Sequence, residues 1–322
     1  MQKWLFAGAL VALGLLYPIL TTPEKERLAV FVDKPSTVHV QPQARVLFGG
    51  DMMFDRSVRA AMSAHGGDYI FSCLDETLKS ADLVVANLEG PITESPSISL
   101  ASIPDSPANY IFTFAPQTAA LLAAHHMGLV SLGNNHIYNF GEEGIISTEA
   151  YLKAAGERYF GEPAVAGEPM GHTVAEEAIN GVQLALIGYN EFDPSPSEAT
   201  GSTTLAQIAQ EKSRGFVPVV FAHWGDEYAE SAPARIVLLA HKFVEAGAIL
   251  VVGSHPHVVE QSENYQGVPI YYSLGNLIFD QYFSSAVDHG LLLSVGFTPQ
   301  GVASLTEIPI VLQPDRRTCV GE

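Results

Sequence analysis

Short apolar segments alternate with segments of helical apolar spacing between residues 44 and 312. Segments such as 217–221 and 248–252 are apolar at nearly every position, as expected of strands that are buried on both faces. The intervening segment 233–246 repeats its apolar residues at helical spacing. This alternation predicts an α/β fold with parallel strands. The dipeptide Asn180-Gly181, between two further apolar segments, predicts one antiparallel hairpin.

The stretch 131–141, with the sequence SLGNNHIYNFG, groups several polar residues at one predicted strand end. The apolar strand predicted over 127–132 breaks at Gly133, and a helix is predicted from residue 142. Between them lie Asn134, Asn135, His136 and Asn139. A simple turn would use Gly, Asp or Pro. Taken alone, the stretch is compatible with either a capped turn carrying a surface histidine or a functional site.

Polar residues also follow five other predicted strands, and open α/β sheets place their chemistry at the carboxyl ends of strands. These residues are Asp51, Asn87, Glu89, His223, Glu227, His255, His257 and Asn276. Each has an ordinary explanation alone, such as helix capping for Asp51. His255 and His257 are more specific, because residues two apart on an extended segment point their rings to one face. The combined carboxylate, amide and imidazole set suits Zn²⁺, Mn²⁺ or Fe at a hydrolytic site.

Composition limits the classes of function. The 322 residues are 47% hydrophobic and 16% charged, which indicates a globular protein with a substantial core. The net charge of −19 argues against nucleic-acid binding, which needs clustered Lys and Arg. The two cysteines, Cys73 and Cys319, match no metal-binding spacing, and both a disulfide and free thiols remain open.

The N-terminal residues predict export. Residues 4–20 are continuously apolar, so 1–22 is predicted to be a signal anchor, with a cleaved signal peptide as the alternative. Residues 23–43 are a predicted linker, 44–312 a single domain and 313–322 a C-terminal tail. The domain is expected on the extracytoplasmic side of a bacterial cell membrane, or secreted or periplasmic after signal cleavage.

Six motifs together carry a family resemblance. They are GGDMMFDR (49–56), VVANLEGPIT (84–93), SLGNNHIYNFG (131–141), AHWGDEY (222–228), GSHPHVVE (253–260) and YSLGNLIFD (272–280). In this order they resemble the CapA-type poly-γ-glutamate capsule synthesis family. That family in turn resembles the calcineurin-like metallophosphatases. The resemblance implies a single α/β (α+β) domain with a four-layer αββα sandwich and metals at the strand ends.

The resemblance also implies a role for each polar residue. The metal ligands would be Asp51, Glu89, Asn135, His223, His255 and His257, with Glu89 in the place of the bridging carboxylate. His136 would be the general acid, with Asn139 beside it. Residues that bind substrate or support the ligands would be Asn87, Asn134, Glu227 and Asn276. The implied cofactors are one or two divalent metals: Mn, Zn or Fe.

The chain departs from these family patterns at three places, one of which is Asn87-Leu88-Glu89 where metallophosphatases have Gly-Asp. Where metallophosphatases have Asp-x-His, this chain has Asp51-Met52-Met53, so one metal lacks an imidazole. Asn139 stands where the capsule family usually has Asp after Asn-Asn-His. An amide stabilises a protonated imidazole less than a carboxylate does, so a weaker general acid is expected at His136.

Two functions are predicted as alternatives. The first is a metal-dependent phosphatase or phosphodiesterase that serves capsule or poly-γ-glutamate biosynthesis or export. The second is a non-catalytic, metal-containing component that binds the polymer or supports a membrane synthesis complex. The expected partners are an anionic polymer or a phosphoester substrate, together with membrane synthase subunits. The net charge of −19 should repel polyglutamate everywhere except at the metals.

Overall fold

The computed structural model describes residues 43–163, 173–193 and 201–321. The predicted anchor or signal peptide (1–22) lies outside these ranges, as does the predicted linker (23–43) except for its last residue. No helix within the described ranges is long and apolar enough to cross a membrane.

Helices and strands alternate over most of the described chain. The helices are α1 (Arg56–His65), α2 (Asp68–Phe71), α3 (Asp75–Lys79), α4 (Gln117–Ala124), α5 (Gly141–Ala155), α6 (Ser202–Ser213) and α7 (Ala234–Ala246). The strands are β1 (Ala44–Met52), β2 (Leu83–Leu88), β3 (Leu129–Ser131), β4 (Arg158–Phe160), β5 (Val174–Ile179), β6 (Val182–Asn190), β7 (Val217–His223), β8 (Leu250–Ser254), β9 (Ser262–Tyr265), β10 (Val268–Tyr271), β11 (Asn276–Ile278), β12 (His289–Thr298), β13 (Gly301–Leu312) and β14 (Thr318–Val320). Short 3₁₀ turns occupy Pro107–Tyr110 and Ile137–Phe140.

The strands form two mixed sheets. The first has the order β14-β13-β12-β1-β2-β3-β4, with β11 also paired to β1. Strands β1 to β4 are mutually parallel, whereas β12 to β14 add antiparallel pairs. The second sheet has the order β5-β6-β7-β8-β10-β9, and its centre, from β6 to β10, is parallel.

Three apolar layers hold the sheets and helices together. On β1, Leu47 packs toward helices α1–α5, whereas Val46 and Phe48 pack between the two sheets. This alternation follows from the two-residue repeat of a strand. A third layer, which includes Phe243 of α7, lies between the second sheet and helices α6 and α7. The order helix, sheet, sheet, helix confirms the predicted four-layer αββα sandwich.

Two glycines let a crossing segment approach the strand ends closely. A Cβ on Gly50 would lie 1.8 Å from the carbonyl oxygen of Gly275, and a Cβ on Gly253 would lie 1.9 Å from that of Tyr272. Any larger residue would collide with backbone, so glycine is required at both positions. Segment 272–275 therefore packs directly against the carboxyl ends of β1 and β8.

The local structure confirms one prediction from the sequence and differs from the sequence pattern elsewhere. The predicted hairpin is confirmed, with φ of 49° at Asn180 and 83° at Gly181, as a tight primed turn requires. Segment 110–114 is mostly apolar and aromatic, as a strand would be, but it forms none: Tyr110 ends the 3₁₀ turn Pro107–Tyr110, and only Phe114 forms an isolated bridge, to Ile92. Strands β4, β9, β11 and β14 were not predicted, since each has only three or four residues and little periodicity.

Residues beyond 312, predicted as a tail, continue the first sheet. Strand β14 pairs with β13, and Cys319 within it forms a disulfide with Cys73, with 4.7 Å between the two Cα atoms. Cys73 lies in the turn between α2 and α3, so the bond ties the final strand to the helices outside this sheet. The pairing left open by the sequence is therefore present.

Replacing both cysteines should destabilise the protein. The disulfide spans 246 residues, so Cys73→Ser/Cys319→Ser is expected to lower the free energy of unfolding by about 2–5 kcal/mol. Urea denaturation with and without dithiothreitol measures this loss. The reductant should destabilise the wild type and leave the double variant unchanged. Equal stability of the two proteins without reductant would contradict the disulfide.

Candidate metal centre

The predicted site residues converge where the carboxyl ends of the two sheets meet. Asp51 is aligned with Asn87 on β2 and with Asn276 on β11. In the second sheet, His223 ends β7 and is aligned with Ser254, the last residue of β8. The backbone N–H of His255 donates to Oδ2 of Asp51 at 3.0 Å, which joins the two sheets at this edge.

Two groups of potential metal ligands lie at this junction. One consists of Asp51, Glu89 and His257, and the other of Glu89, His223 and His255. Within each group, one donor atom per residue lies within 4.8 Å of the others, and all five residues are buried. Glu89 belongs to both groups. A metal held by either group would therefore have a Glu89 oxygen within reach.

Glu89 is a buried carboxylate without a hydrogen-bond donor among the described residues. Neither Oε1 nor Oε2 has a hydrogen-bond partner in that part of the chain. Its nearest imidazole nitrogens are Nε2 of His257 at 3.7 Å and Nε2 of His136 at 3.8 Å. Burial, and then the charges of Asp51 and Glu227, raise the pKa of Glu89 well above its usual value. A cation bound between these oxygens and the imidazoles would remove this electrostatic penalty, so the residues fit a divalent metal.

Asp51 has the opposite electrostatic environment. Its Oδ1 accepts a hydrogen bond from Nδ2 of Asn87 at 2.8 Å, and Oδ2 lies 3.4 Å from Nδ1 of His257. Burial alone would raise the pKa of Asp51, but contacts with His257, His223 and Asn87 outweigh burial and lower it. Asp51 is therefore ionised, which is the state that binds a metal.

Neighbouring side chains orient two of the imidazoles. Nδ1 of His223 lies 3.0 Å from the Ser254 hydroxyl, and Nδ1 of His257 lies 3.0 Å from Oδ1 of Asn276. Such contacts fix the ring orientation of metal-bound histidines, and here Nε2 of His257 lies 3.7 Å from Oε1 of Glu89 while Nε2 of His223 lies 3.0 Å from Oδ1 of Asn135. Nδ1 of His255 is buried and has no partner among the described residues.

Burial also keeps two of the imidazoles, those of His223 and His255, neutral. Burial, followed by the neighbouring His255, lowers the pKa of His223 well below its usual value. Burial, followed by His257, lowers the pKa of His255 to about 3. Neutral imidazole is the form that coordinates metals.

An amide network lines the side of the centre formed by the first sheet. Asn134 donates to Oδ1 of Asn87 at 3.0 Å, and its own Oδ1 accepts from the backbone N–H of His136. Oδ1 of Asn135 lies 3.0 Å from Nε2 of His223, within reach of the second ligand group. These contacts are consistent with a ligand position for Asn135 and supporting positions for Asn87 and Asn134.

The described structure brings eleven of the twelve predicted residues into this network. Glu227 is the exception, because it is exposed and influences the centre through its charge alone. Ser254 was missed by the sequence reasoning, although it stands between Gly253 and His255 in a recognised motif. Phe192 was also missed. Its ring centroid lies 4.3 Å from that of His255, and no pattern in the sequence marks it.

The sequence predicts that His255 and His257 lie on an extended segment with both rings on one face, and this prediction is wrong. Their segment is not extended: φ is 98° at His255 and 58° at His257, values that are uncommon for non-glycine residues. The turn directs the two rings into different ligand groups, with 6.0 Å between their centroids. Both residues reach the centre, but not on one face of a strand.

Comparison with known proteins identifies the family. Residues 45–281 match the sequence profile of the bacterial capsule synthesis protein PGA_cap. The chain belongs to this family. It is 29% identical over 280 residues to the capsule biosynthesis protein CapA of Bacillus anthracis, covering 82% of this chain and 66% of that protein. It is 27% identical over 260 residues to the PGA biosynthesis protein CapA of Bacillus subtilis (strain 168), covering 76% of this chain and 66% of that protein.

The capsule synthesis chain thus spans slightly less than two thirds of the length of both relatives. Among solved structures it is similar to a hypothetical protein from Thermus thermophilus, with a TM-score of 0.51 and 20% identity. That alignment covers 82% of this chain and 98% of that chain. At this identity the likeness supports the shared fold alone.

The departures at Met53 and Asn139 have visible structural consequences. Met53, at the position of the missing imidazole, is fully buried in the apolar layer beneath α1–α5 and supplies no ligand. Nδ2 of Asn139 lies 3.2 Å from Nδ1 of His136 and donates to the carbonyl oxygen of Tyr110 at 2.9 Å. Burial and then the charge of His257 lower the pKa of His136 to about 4, and Asn139 offsets only part of this fall.

Glu89→Gln should separate two effects of the carboxylate, namely the destabilisation of the metal-free protein and the binding of metal. In metal-free protein at pH 7, the free energy of unfolding is expected to rise by about 1–3 kcal/mol, because a buried, unpaired acid is replaced by a neutral amide. Added Mn²⁺ should stabilise the wild type and have little effect on the variant. Thermal unfolding in EDTA and in MnCl₂ measures both effects.

Glu230→Gln, at an exposed position, is the matched control and should behave as the wild type does. Full stabilisation of Glu89→Gln by Mn²⁺ would contradict a shared ligand role for Glu89.

Proposed function

We propose that this capsule synthesis protein is a metal-dependent phosphoester hydrolase that serves the synthesis or export of an anionic capsule polymer such as poly-γ-glutamate. The observation that carries the proposal is the sharing of Glu89 by two buried ligand groups. Paired oxygen and nitrogen sites of this kind suit two hard or borderline metals, and Mn, Zn and Fe are the candidates. Two such metals, when bound, activate water and neutralise charge that develops on a phosphoryl group.

Each side chain has a defined task in this proposal. Asp51, Glu89, Asn135, His223, His255 and His257 would hold the metals. Ser254 and Asn276 would keep the His223 and His257 rings oriented. His136 would donate a proton from Nε2 to the leaving oxygen, since this atom faces Glu89 at 3.8 Å. With a pKa of about 4, His136 is mostly neutral at pH 7, which favours substrates with good leaving groups.

The capsule role rests on family membership and on the names of the two Bacillus relatives. The proposed location is the extracytoplasmic side of the cell membrane, through an anchor at 1–22, with release after signal cleavage as the alternative. The Cys73–Cys319 disulfide supports this location, because disulfides persist in oxidising compartments. Subunits of a membrane synthase are the proposed protein partners.

A second candidate is a metal-containing polymer-binding or scaffold component without turnover. The low pKa of His136 favours it, because a histidine that stays neutral at pH 7 is a poor general acid. In that role the metals would bind carboxylates of the polymer directly.

Metal content and turnover test the proposal together. The full chain, loaded with Mn²⁺ or Zn²⁺, should hold up to two metals and hydrolyse p-nitrophenyl phosphate or bis-p-nitrophenyl phosphate. Asp51→Ala and His257→Ala should each lose metal and about 100-fold or more in kcat/KM. His289→Ala, which removes an exposed histidine, is the control.

Elemental analysis and phosphate release measure these outcomes. Bound metal without turnover would favour the polymer-binding role. A wild-type protein that binds no metal would overturn both roles.

Asn139→Asp should strengthen the general acid. A carboxylate beside Nδ1 stabilises the protonated imidazole and raises the pKa of His136, so more of the acid form survives as pH rises toward 7. Hydrolysis of phenyl phosphate, which has a poor leaving group, should increase about tenfold at pH 7. Hydrolysis of p-nitrophenyl phosphate should change little. Equal effects on both substrates, across a pH–rate profile, would contradict proton donation by His136.

A further inference from the structure

A cleft of about 620 Å³ lies beside the candidate metal centre. Its walls include Arg56, Asn109, Tyr110, Tyr228 and Phe283, none of which belongs to the two ligand groups. The volume is within the range of about 300–1,000 Å³ that small-molecule sites occupy. The cleft is therefore large enough to hold part of a substrate whose reacting group lies at the centre.

One wall of the cleft is connected to the centre by hydrogen bonds. Gln281 donates from Nε2 to the Tyr228 hydroxyl at 3.0 Å and accepts from Nδ2 of Asn276 at 3.1 Å. Asn276 in turn contacts Nδ1 of His257 at 3.0 Å. Gln281 and Asn276 thus form a hydrogen-bonded path between Tyr228 in the cleft wall and His257 in the centre.

Arg56 is linked to the centre through an aromatic ring. Its guanidinium lies 5.0 Å from the centroid of the Phe112 ring, and that ring lies 4.3 Å from His136. The backbone of Arg56 has φ of 47°, an uncommon conformation for a non-glycine residue. The ring of Phe112 and an ion pair with Asp280 hold the guanidinium in place.

The guanidinium retains donors that the described residues do not fully use. Nη1 contacts Oδ1 of Asn109 at 3.5 Å, the outer limit of a hydrogen bond, and Nε has no partner within the described structure. A phosphate oxygen would be a stronger acceptor for Nη1 than this distant amide. Arg56 therefore suits an anionic group within the cleft.

The outer part of the cleft presents aromatic side chains to solvent. Tyr110 and Tyr228 are each 40% exposed, and Phe283 is 66% exposed. The Tyr228 and Phe283 rings pack edge to face with 5.1 Å between centroids. Exposed rings flanked by hydroxyl and amide groups, here from Ser102 and Asn109, offer both a stacking surface and hydrogen bonds. Sugar rings use both kinds of contact.

The charges around the cleft disfavour a polycarboxylate. Among the described residues that line it, Asp105 and Asp280 accompany the single cation Arg56, and the Glu227 charge reaches Tyr110 and Tyr228. A run of glutamate carboxylates would meet net repulsion here. One phosphate on an otherwise neutral molecule carries fewer charges, and all of them can lie against Arg56.

We propose that this cleft binds the sugar of a sugar phosphate, with Arg56 contacting a phosphate oxygen and the exposed aromatic side chains stacking on the ring. The proposal rests on the proposed hydrolase function and specifies its substrate class. The reacting substrate is a phosphoester of a carbohydrate, and the anionic polymer is not bound in the cleft.

Binding to EDTA-treated, full-length protein tests the cleft without requiring turnover. Calorimetric titration should detect glucose 1-phosphate and no binding of γ-linked triglutamate. Phe283→Ala, at a mostly exposed position, should weaken glucose 1-phosphate binding about fivefold. Arg56→Lys should weaken it about tenfold and leave methyl glucoside unaffected. Ile103→Ala removes an exposed apolar side chain next to the lining residues Ser102 and Pro104 but outside the cleft lining, so it is the control and should bind normally.

The outcomes separate this proposal from the proposed function. Tighter binding of triglutamate than of glucose 1-phosphate, or wild-type binding by Phe283→Ala, would overturn the cleft assignment. Hydrolysis of p-nitrophenyl phosphate without any binding of glucose 1-phosphate would overturn it as well and leave the hydrolase function standing. Sugar phosphate binding that Phe283→Ala weakens, in a protein without turnover, would support the cleft and reject the hydrolase.

Discussion

The burial of two carboxylates side by side is the constraint on which the rest of this structure depends. Asp51 and Glu89 end neighbouring parallel strands and are fully buried, yet within the described chain only Asp51 has hydrogen-bond donors. Burial removes Glu89 from bulk water, and the nearest imidazoles lie at 3.7 Å or beyond. An arrangement of this kind costs folding free energy unless a cation is bound, and proteins keep such costs mainly at functional sites.

The same constraint explains the positions of the surrounding residues. Uncharged amides and hydroxyls, such as Asn87 and Ser254, hold the ligand side chains without adding another charge. The positive φ values at His255 and His257 add backbone strain at the same site. Strain, buried charge and neutral imidazoles all lie within one small volume, while the three apolar layers supply the stability that offsets them.

The positions of the ligands could be predicted because strand direction determines them. Asp51, Asn87 and His223 stand at the carboxyl ends of strands whose apolar character is plain in the sequence, and parallel strands bring those ends together. The turn at His255 could not be predicted, because its φ depends on contacts with Asp51 from the other sheet. The contacts of Arg56 could not be predicted for a similar reason, since Phe112 and Asp280 come from distant parts of the chain.

The order in which the chain is made has a consequence for how this centre can form. Asp51 lies beside Asn276 in the first sheet, and Cys73 must wait for Cys319, 246 residues later. A chain that emerges from its N terminus therefore carries its first carboxylates and an unpaired thiol long before their partners exist. Such non-local pairings make folding slow and leave partly formed sheets exposed. Binding of a metal at this candidate centre would accordingly be a late event, possible only when nearly the whole domain has emerged.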